Sequence, residues 1–342
     1  MKTLLRTVAA ICTLVATPLA AQEVVFSAPG GVIQKAWEDE IFPEFEAETG
    51  IQVTYVTANI LDGMTRVQAQ RNAPSVDITT ASEDALAQFQ GQELFEVLTS
   101  ETVPRLAEIH PILRYPGDTG VPAYGITLGV AYNTQVFEEN GFTPPSSLND
   151  LWNDAYRGRV VLWTPATSTG LNFVMLVARA EGNGTEDLDA AFTRLQAIAP
   201  YVEFNRADEM TVLMQQGQAW LGWTNNQRAQ ILKDQGMPIE FAHLSEGAPT
   251  IASGWALVKN APNRDNALAL INWMLSDTGQ ALIAEHLNGI PAVQGVELPA
   301  DVAATVADVS VLENAYKPDV DFVVANRASI MDHWARQIEA AN

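Results

Sequence analysis

The sequence predicts an α/β fold with a parallel, doubly wound sheet. Residues 23–27 and 51–57 have the patterns of strands, and residues 32–49 between them have the pattern of a helix. A helix over 62–72 and a buried strand over 77–80 continue this β-α-β-α-β order, which right-handed crossovers convert into parallel strands. The total of 342 residues allows two domains of ordinary size.

The first helix has a clear apolar periodicity. Ile33, Trp37, Ile41 and Phe45 recur at steps of four residues, and Gly50 ends the helix as a C-cap. The apolar side chains therefore lie on one face, which packs against the predicted sheet.

Strands and helices continue to alternate beyond residue 80. Residues 121–132 are predicted to form a long strand broken by Gly125 and Gly129. Further strands are predicted over 159–163, 202–204, 219–223, 239–242 and 250–258, and further helices over 82–89, 148–155, 171–181, 188–198, 209–216, 225–235, 263–275, 278–285, 300–309 and 323–339. The sequence has no internal repeat and no low-complexity linker, which favours two lobes that exchange strands.

The first 21 residues have the pattern of a secretory signal peptide. Lys2 and Arg6 precede a broken apolar stretch that is too short to span a bilayer. We expect export to the periplasm with cleavage after Ala21, or alternatively after Ala20; a buried N-terminal helix is the other interpretation. The single cysteine, Cys12, lies in this segment, so the mature chain is expected to have no disulfide and no thiol nucleophile.

Composition argues against several classes of function. The chain has 41 acidic and 19 basic side chains and a net charge of −22, which disfavours binding to nucleic acids or anionic membranes. The four histidines have no metal-ligand spacing, and the sequence has neither a phosphate-binding glycine motif nor a nucleophile elbow. No later stretch is long and apolar enough for a membrane helix. We therefore expect no metal, no cofactor, no membrane insertion and no catalysis.

Four segments, taken together in their order and spacing, resemble the extracellular solute-binding proteins of ABC importers. They are residues 36–53 (AWEDEIFPEFEAETGIQV), residues 121–134 (VPAYGITLGVAYNT), residues 147–160 and residues 260–275 (NAPNRDNALALINWML). The resemblance is to the group that includes the spermidine/putrescine binders. It implies a two-lobed periplasmic-binding-protein fold of type II, in which a ligand cleft between the lobes closes by a hinge motion.

The resemblance also implies a division of the chain. Lobe 1 is expected to comprise residues 22–124 and 252–300, and lobe 2 residues 125–251 and 301–342. Two crossing hinge segments are expected near Ala123–Leu128 and Glu246–Ser253. Such a protein would act as a monomer that captures a small molecule and delivers it to the membrane permease of an ABC importer.

Ligands of open α/β sheets bind beyond the carboxyl ends of the strands, so the candidate ligand-binding residues lie in strand-to-helix turns and on the crossing segments. They are Ser27, Gly30, Gly31, Ser82, Glu83, Tyr124, Trp163, Thr167, Ser168, Thr169, Gly170, Arg206, Trp223, Asn225, Ser253 and Trp255. Each also has a purely structural interpretation as a turn glycine, a helix cap, a surface ion pair or a core aromatic residue.

The candidate residues divide into two chemical groups. The hydroxyls and helix-start N–H groups of residues 167–170 suit a carboxylate or phosphate oxygen, and so does the guanidinium of Arg206. Trp223 and Asn225 suit an amine, with Glu83 as a counter-charge.

The sequence departs from the polyamine-binding pattern that the resemblance implies. Ser253 stands on the crossing strand where an acid is expected, and the turn over 164–170 has no acid. An unpaired buried ammonium is costly, so a short zwitterion such as a 4-aminobutyrate-like amino acid is favoured over a polyamine. The alternatives are a polyamine such as spermidine or putrescine, a phosphonate or other oxyanion, a ligand-presenting sensor module and a bilobal enzyme.

Overall fold

The computed structural model describes residues 22–182, 184, 186–198, 202–205, 209–306 and 309–341. The predicted signal segment with Cys12 and the candidate residue Arg206 lie outside the described residues. No helix within these ranges has the length and apolar character needed to cross a membrane.

In the part of the chain that the structure describes, eleven strands form one mixed sheet. They are β1 (Glu23–Ala28), β2 (Gln52–Thr57), β3 (Ile78–Ala81), β4 (Val121–Asn133), β5 (Val160–Trp163), β6 (Val202–Asn205), β7 (Leu221–Asn225), β8 (Ile239–Ala242), β9 (Ala248–Leu257), β10 (Ile290–Pro291) and β11 (Ala315–Tyr316). The main order is β2-β1-β3-β9-β4-β7-β5-β6, while β8 and β10 pair with β4, and β11 pairs with β9.

Thirteen α-helices in the described ranges connect these strands. They are α1 (Val32–Lys35), α2 (Phe42–Thr49), α3 (Ile60–Ala69), α4 (Glu83–Gln88), α5 (Thr134–Asn140), α6 (Ser168–Glu181), α7 (Leu188–Ile198), α8 (Glu209–Gln215), α9 (Asn226–Asp234), α10 (Arg264–Met274), α11 (Asp277–Leu287), α12 (Ala300–Ala303) and α13 (Val320–His333). A π-helical turn over Ala36–Ile41 joins α1 to α2, and a second over Trp334–Ile338 extends α13. The predicted first helix is thus one continuous helical segment that Gly50 ends in the left-handed conformation.

The sheet is parallel at its two ends and antiparallel in the middle, where a parallel sheet was predicted. β1 pairs in parallel with β2 and β3, and β5 pairs in parallel with β6 and β7. The long strands β4 and β9 run antiparallel to each other, with Gly125 opposite Ala252 and Thr127 opposite Thr250. These two strands connect the two parallel ends, so they bring the carboxyl ends of both sets of strands toward one region.

β4 is continuous through both of its glycines, which were expected to break it. A Cβ on Gly129 would lie 2.4 Å from the carbonyl oxygen of Ala242 in β8, and one on Gly125 would lie 3.2 Å from a methyl group of Leu113. These glycines therefore permit close packing of neighbouring elements against the strand and do not interrupt it.

The buried hydrophobic residues divide into two main clusters, which define the lobes. The first lobe packs residues from 24–124 and 252–312, and the second packs residues from 128–244 and 316–338. A smaller cluster beneath α8 and α9 adds to the second lobe. The segment around Val302, Val306 and Leu312 packs in the first cluster, and the predicted change of lobe at residue 300 stays a prediction.

A third segment crosses between the lobes in addition to β4 and β9. Leu312 packs in the first lobe and Tyr316 in the second, so residues 313–315 pass from one to the other. β11 pairs with the start of β9, which places Lys317 beside the predicted crossing strand. This third crossing was not predicted, because β11 has two residues and no strand pattern of its own.

Two predicted helices differ from the structure. Two 3₁₀ turns, Leu148–Trp152 and Asp154–Tyr156, replace the helix predicted over 148–155, because Ser147 caps the first turn and Asn153 caps a new one six residues later. The helix predicted over 300–309 stops at Ala303, and 3₁₀ structure follows from Val309. The helix α5 was not predicted; Asn133 caps it directly after β4.

Candidate ligand-binding site

A cavity lies where the two lobes and two crossing segments meet. Its volume is about 70 Å³, enough for several water-sized groups. The lining residues are Glu83 and Asp84 of the first lobe, Ser168, Leu171 and Asn172 of the second, Thr250, Ile251 and Ala252 of β9, and Lys317, Pro318, Val320 and Val323 of the C-terminal segment. We call it the interlobe cavity.

An ion pair crosses the interlobe cavity. The ammonium of Lys317 lies 2.5 Å from a carboxylate oxygen of Glu83, and the two side chains are 17% and 19% exposed. Lys317 also lies 3.4 Å from the carbonyl oxygen of Arg114. Glu83 was predicted to receive an amine of the ligand, but in this structure the chain's own lysine occupies that position.

The start of α4 is held by hydrogen bonds that leave Glu83 facing the cavity. The Ser82 hydroxyl donates to Asp84 Oδ1 at 2.7 Å and does not cap the helix. The Tyr115 hydroxyl lies 2.9 Å from the carbonyl oxygens of both Ala81 and Ala252, so it connects β3 to β9. Burial raises the pKa of Tyr115 well above its usual value, so this hydroxyl remains a neutral donor.

The turn before α6 uses most of its predicted binding groups for its own structure. Thr167 Oγ1 accepts from the Gly170 N–H at 3.1 Å and donates to the Thr164 carbonyl at 2.9 Å. A Cβ on Gly170 would lie 2.1 Å from that same carbonyl oxygen, so glycine permits this close turn. The Thr169 carbonyl accepts from the indole of Trp223 at 3.0 Å. Of this group, Ser168 lines the cavity.

Asn172 adds an acceptor that sequence reasoning missed. Its Nδ2 donates to the Ser168 carbonyl at 2.9 Å, and its buried Oδ1 has no hydrogen-bond partner among the described residues. Asn172 lies one turn into α6. No sequence pattern distinguishes an asparagine that lines a cavity from one on an exposed helix surface, so it was not predicted. An acceptor beside a carboxylate-lined cavity complements an ammonium group.

Two predicted aromatic walls belong to the hydrophobic core. Trp223 is fully buried in the second lobe with its ring 5.1 Å from that of Phe173, and its N–H is already used by Thr169. Trp255 is buried in the first lobe against Trp37, with ring centroids 5.7 Å apart. Both rings are packed in the hydrophobic core of this structure, so their stacking on an amine stays a prediction.

Trp163 lies elsewhere, at the end of β5, beneath a cation that sequence reasoning missed. The guanidinium of Arg228 lies 5.0 Å from the centre of its ring. Trp163 is buried, and its indole N–H has no partner within the described ranges. Asn225 Oδ1 caps α9 by accepting from the Arg228 backbone N–H at 2.8 Å. In this structure the oxygen that was predicted to contact an amine therefore serves as a helix cap. Arg228 lies in the first turn of a helix that directly follows a strand, and this position in the sequence could have identified it as a candidate.

Tyr124 and Ser253 meet on the two crossing strands. Burial raises the pKa of Tyr124, and hydrogen bonds with the side chains of Ser253 and Gln227 oppose that rise. Gln227 also donates to the Leu287 carbonyl of the first lobe. These predicted residues therefore take part in a contact between the lobes.

The remaining predicted residues lie around the turn between β1 and α1. The Ser27 hydroxyl is buried beneath α3 and has no partner among the described residues. Gly31 adopts a φ of +77°, which explains why glycine is present there. A Cβ on Gly30 would lie 2.8 Å from a methyl group of Thr57. This turn does not contribute to the lining of the interlobe cavity.

The model of the family described as bacterial extracellular solute-binding proteins matches residues 40–309. The chain belongs to this family. It is similar to the spermidine/putrescine-binding periplasmic protein of Escherichia coli (strain K12), with 23% identity over 264 residues, which are 73% of this chain and 74% of that protein. It is also 24% identical over 316 residues to a provisionally named 2-aminoethylphosphonate-binding periplasmic protein of Salmonella typhimurium, covering 89% and 88% of the two chains.

The solved structure of the GABA receptor Atu4243 is similar to this fold. Its TM-score is 0.75 at 21% identity, and the match covers 92% of this chain and 97% of that one. The family match and the two-lobed architecture agree with each other, and both describe a bacterial extracellular solute-binding protein. Within the described part of the chain, no three His, Cys, Asp or Glu side chains are grouped so that they could hold a metal ion.

Proposed function

We propose that this protein is exported to the periplasm, binds a short zwitterion in the interlobe cavity and delivers it to the permease of an ABC importer. The observation that carries the proposal is the Glu83–Lys317 ion pair, which lies in a cavity lined by both lobes. A cavity in which a carboxylate and an ammonium group face each other matches a ligand that carries both charges.

The ligand would replace the internal ion pair by two external ones. Its ammonium would take the place of Lys317 at Glu83, with Asn172 Oδ1 as a further acceptor, and its carboxylate would pair with Lys317. A buried charge is tolerated when it is paired, and this exchange leaves each of the four charges with a partner. A 4-aminobutyrate-like amino acid has one charge at each end and fits this arrangement.

The relatives support the same class of ligand. GABA and 2-aminoethylphosphonate, named for two similar proteins, each combine an amine with an oxyanion. A polyamine, named for the Escherichia coli relative, is the second candidate. It would have to displace Lys317 from Glu83 and would leave that ammonium without a counter-charge.

A thermal-shift series with matched ligands tests the proposal. 4-Aminobutyrate would be compared with butyrate, which lacks the amine, with butylamine, which lacks the carboxylate, and with putrescine, which has two amines. A ligand at a hundred times its Kd stabilises the native state by about 2.7 kcal/mol, so 4-aminobutyrate is expected to raise the Tm clearly. Butyrate, butylamine and putrescine are each expected to change the Tm little or not at all.

Variants locate the site. Lys317→Met removes the cation for the carboxylate, and the 4-aminobutyrate shift should be lost; Lys233→Met, which breaks an exposed ion pair with Glu240, should leave it unchanged. A larger shift with putrescine than with 4-aminobutyrate in the unmodified protein would contradict the zwitterion. A larger shift with 2-aminoethylphosphonate would support the same charge pattern with a phosphonate.

Recovery of the ligand unaltered after long incubation, measured by NMR, is expected for a carrier, whereas conversion would indicate an enzyme.

A further inference from the structure

We propose that Lys317 determines specificity by excluding diamines and polyamines from the interlobe cavity. Its side chain is a tethered ammonium that already occupies the amine position in front of Glu83. The proposal rests on the proposed location of the ligand site, and it adds the residue that distinguishes one class of amine from another.

The backbone on either side of Lys317 is fixed, so its ammonium has a defined position. Tyr316 pairs with Pro249 of β9, and its hydroxyl lies 3.0 Å from Glu186 Oε1. The guanidinium of Arg179 lies 4.6 Å from the centre of the Tyr316 ring. Pro318 follows immediately and restricts the backbone on the other side. A lysine anchored in this way competes with a free amine at a low entropic cost.

The charges that line the cavity determine what it accepts. Glu83, Asp84 and Lys317 are its charged lining residues, and their formal charges sum to −1. A zwitterion leaves this total unchanged. A diamine with two positive charges would bring the total to +1, which is unfavourable because the extra cation has no partner.

Removal of Lys317 reverses this relationship. Without its ammonium the lining carries two carboxylates, which match the two charges of a diamine. Asn172 Oδ1 is available as a neutral acceptor. Truncation to alanine also vacates the space that the lysine side chain fills, so an external amine can enter it.

The test is a gain of binding. Putrescine affinity would be measured by isothermal titration calorimetry for the unmodified protein, Lys317→Ala, Lys317→Met and the double variant Lys317→Ala/Glu83→Gln. Lys317→Ala is expected to bind putrescine at least about tenfold more tightly than the unmodified protein, because the external amine no longer competes with the lysine for Glu83. Lys317→Met fills the space without a charge and is expected to gain little, and the double variant should lose the gain because Glu83 is the receiving carboxylate.

Each outcome decides the proposal. No gain in Lys317→Ala, with an unchanged circular dichroism spectrum, would overturn it, and so would an equal gain in the Glu83→Gln double variant. If Lys317→Ala does not fold, Lys317→Ser replaces it, because serine also removes both the charge and most of the side-chain volume, and the same gain is expected. Failure of the unmodified protein to bind 4-aminobutyrate would refute the proposed ligand and would leave the gain in Lys317→Ala as an independent result.

Discussion

The lobes contact each other through two regions of different chemistry. At the first, which we call the amide junction, Asn226 and Gln227 of α9 donate to the carbonyls of Asn288 and Leu287 in the first lobe. At the second, the interlobe cavity, the contact is the Glu83–Lys317 ion pair. The amide junction consists of buried, uncharged groups, whereas the cavity holds charges and space.

This difference separates two tasks that the protein has to perform. Neutral amides buried against backbone carbonyls cannot be exchanged for a solute at little cost, because each lost partner leaves an unsatisfied buried group. An ion pair beside a cavity can be exchanged for a ligand that carries the same two charges. The amide junction therefore suits a fixed point of contact near the crossing strands, and the cavity suits the site that responds to ligand.

The largest effect is expected from loss of the amide junction. Asn226 Oδ1 accepts from the Thr127 N–H at 3.0 Å and its Nδ2 donates to the Asn288 carbonyl at 3.1 Å, so Asn226→Ala leaves two buried backbone groups unsatisfied. The free energy of unfolding should fall by about 3 kcal/mol, measured by urea denaturation. Gln230→Ala in the same helix, where the side chain contacts the exposed Asp234, should change it by less than about 0.5 kcal/mol. Similar losses of stability for both variants would show that the buried amide contacts stabilise the fold no more than an exposed contact does.

A smaller effect is expected from the ion pair, and a double-mutant cycle measures it. Glu83→Gln, Lys317→Met and the double variant should give a coupling free energy of about 2 kcal/mol, because the pair is largely shielded from water. The Lys233–Glu240 pair is a matched control: its N–O distance is 2.6 Å, but its side chains are 48% and 47% exposed. Its coupling should stay below about 1 kcal/mol. Equal couplings would show that burial does not strengthen the pair in the cavity.

The smallest effect is a pH dependence at His243, which contacts Thr127 beside the amide junction. His243 Nε2 lies 2.9 Å from the Thr127 hydroxyl, and burial lowers the pKa of His243 in the folded protein. Because the folded state disfavours the charged form, the stabilisation is complete above the unfolded pKa of about 6.5 and is lost as the pH falls through the lower folded pKa. His243→Gln should therefore lose less Tm than the unmodified protein between pH 7.5 and pH 5.5. Parallel decreases in the two proteins would exclude this contribution.

The fold could be predicted from local patterns to a large extent. The continuous helical segment over 32–49 followed from its apolar spacing and Gly50, and α7 and β8 have the predicted bounds. The errors lie where long-range contacts decide the structure. β11 is a strand because β9 lies beside it, and β4 continues through Gly129 because β8 packs closely there.

The candidate site was less predictable than the fold. The turns after β3 and β5 were identified, and Glu83 and Ser168 line the cavity. Trp223 was assigned to the site because it ends a predicted strand, and Trp255 was assigned as an additional aromatic wall. The burial of each depends on which face of the sheet its side chain occupies. Lys317 was missed because it is distant in sequence from every predicted turn.

The sequence by itself determined the class of this protein: its α/β alternation, its acidic charge and the segments shared with solute-binding proteins all follow from local composition and order. The tertiary structure decided which charges meet. Glu83 and Lys317 are separated by more than two hundred residues and meet because the third crossing returns the chain to the start of α4. Charge pairing depends on distance in space, so local sequence patterns carry no record of it.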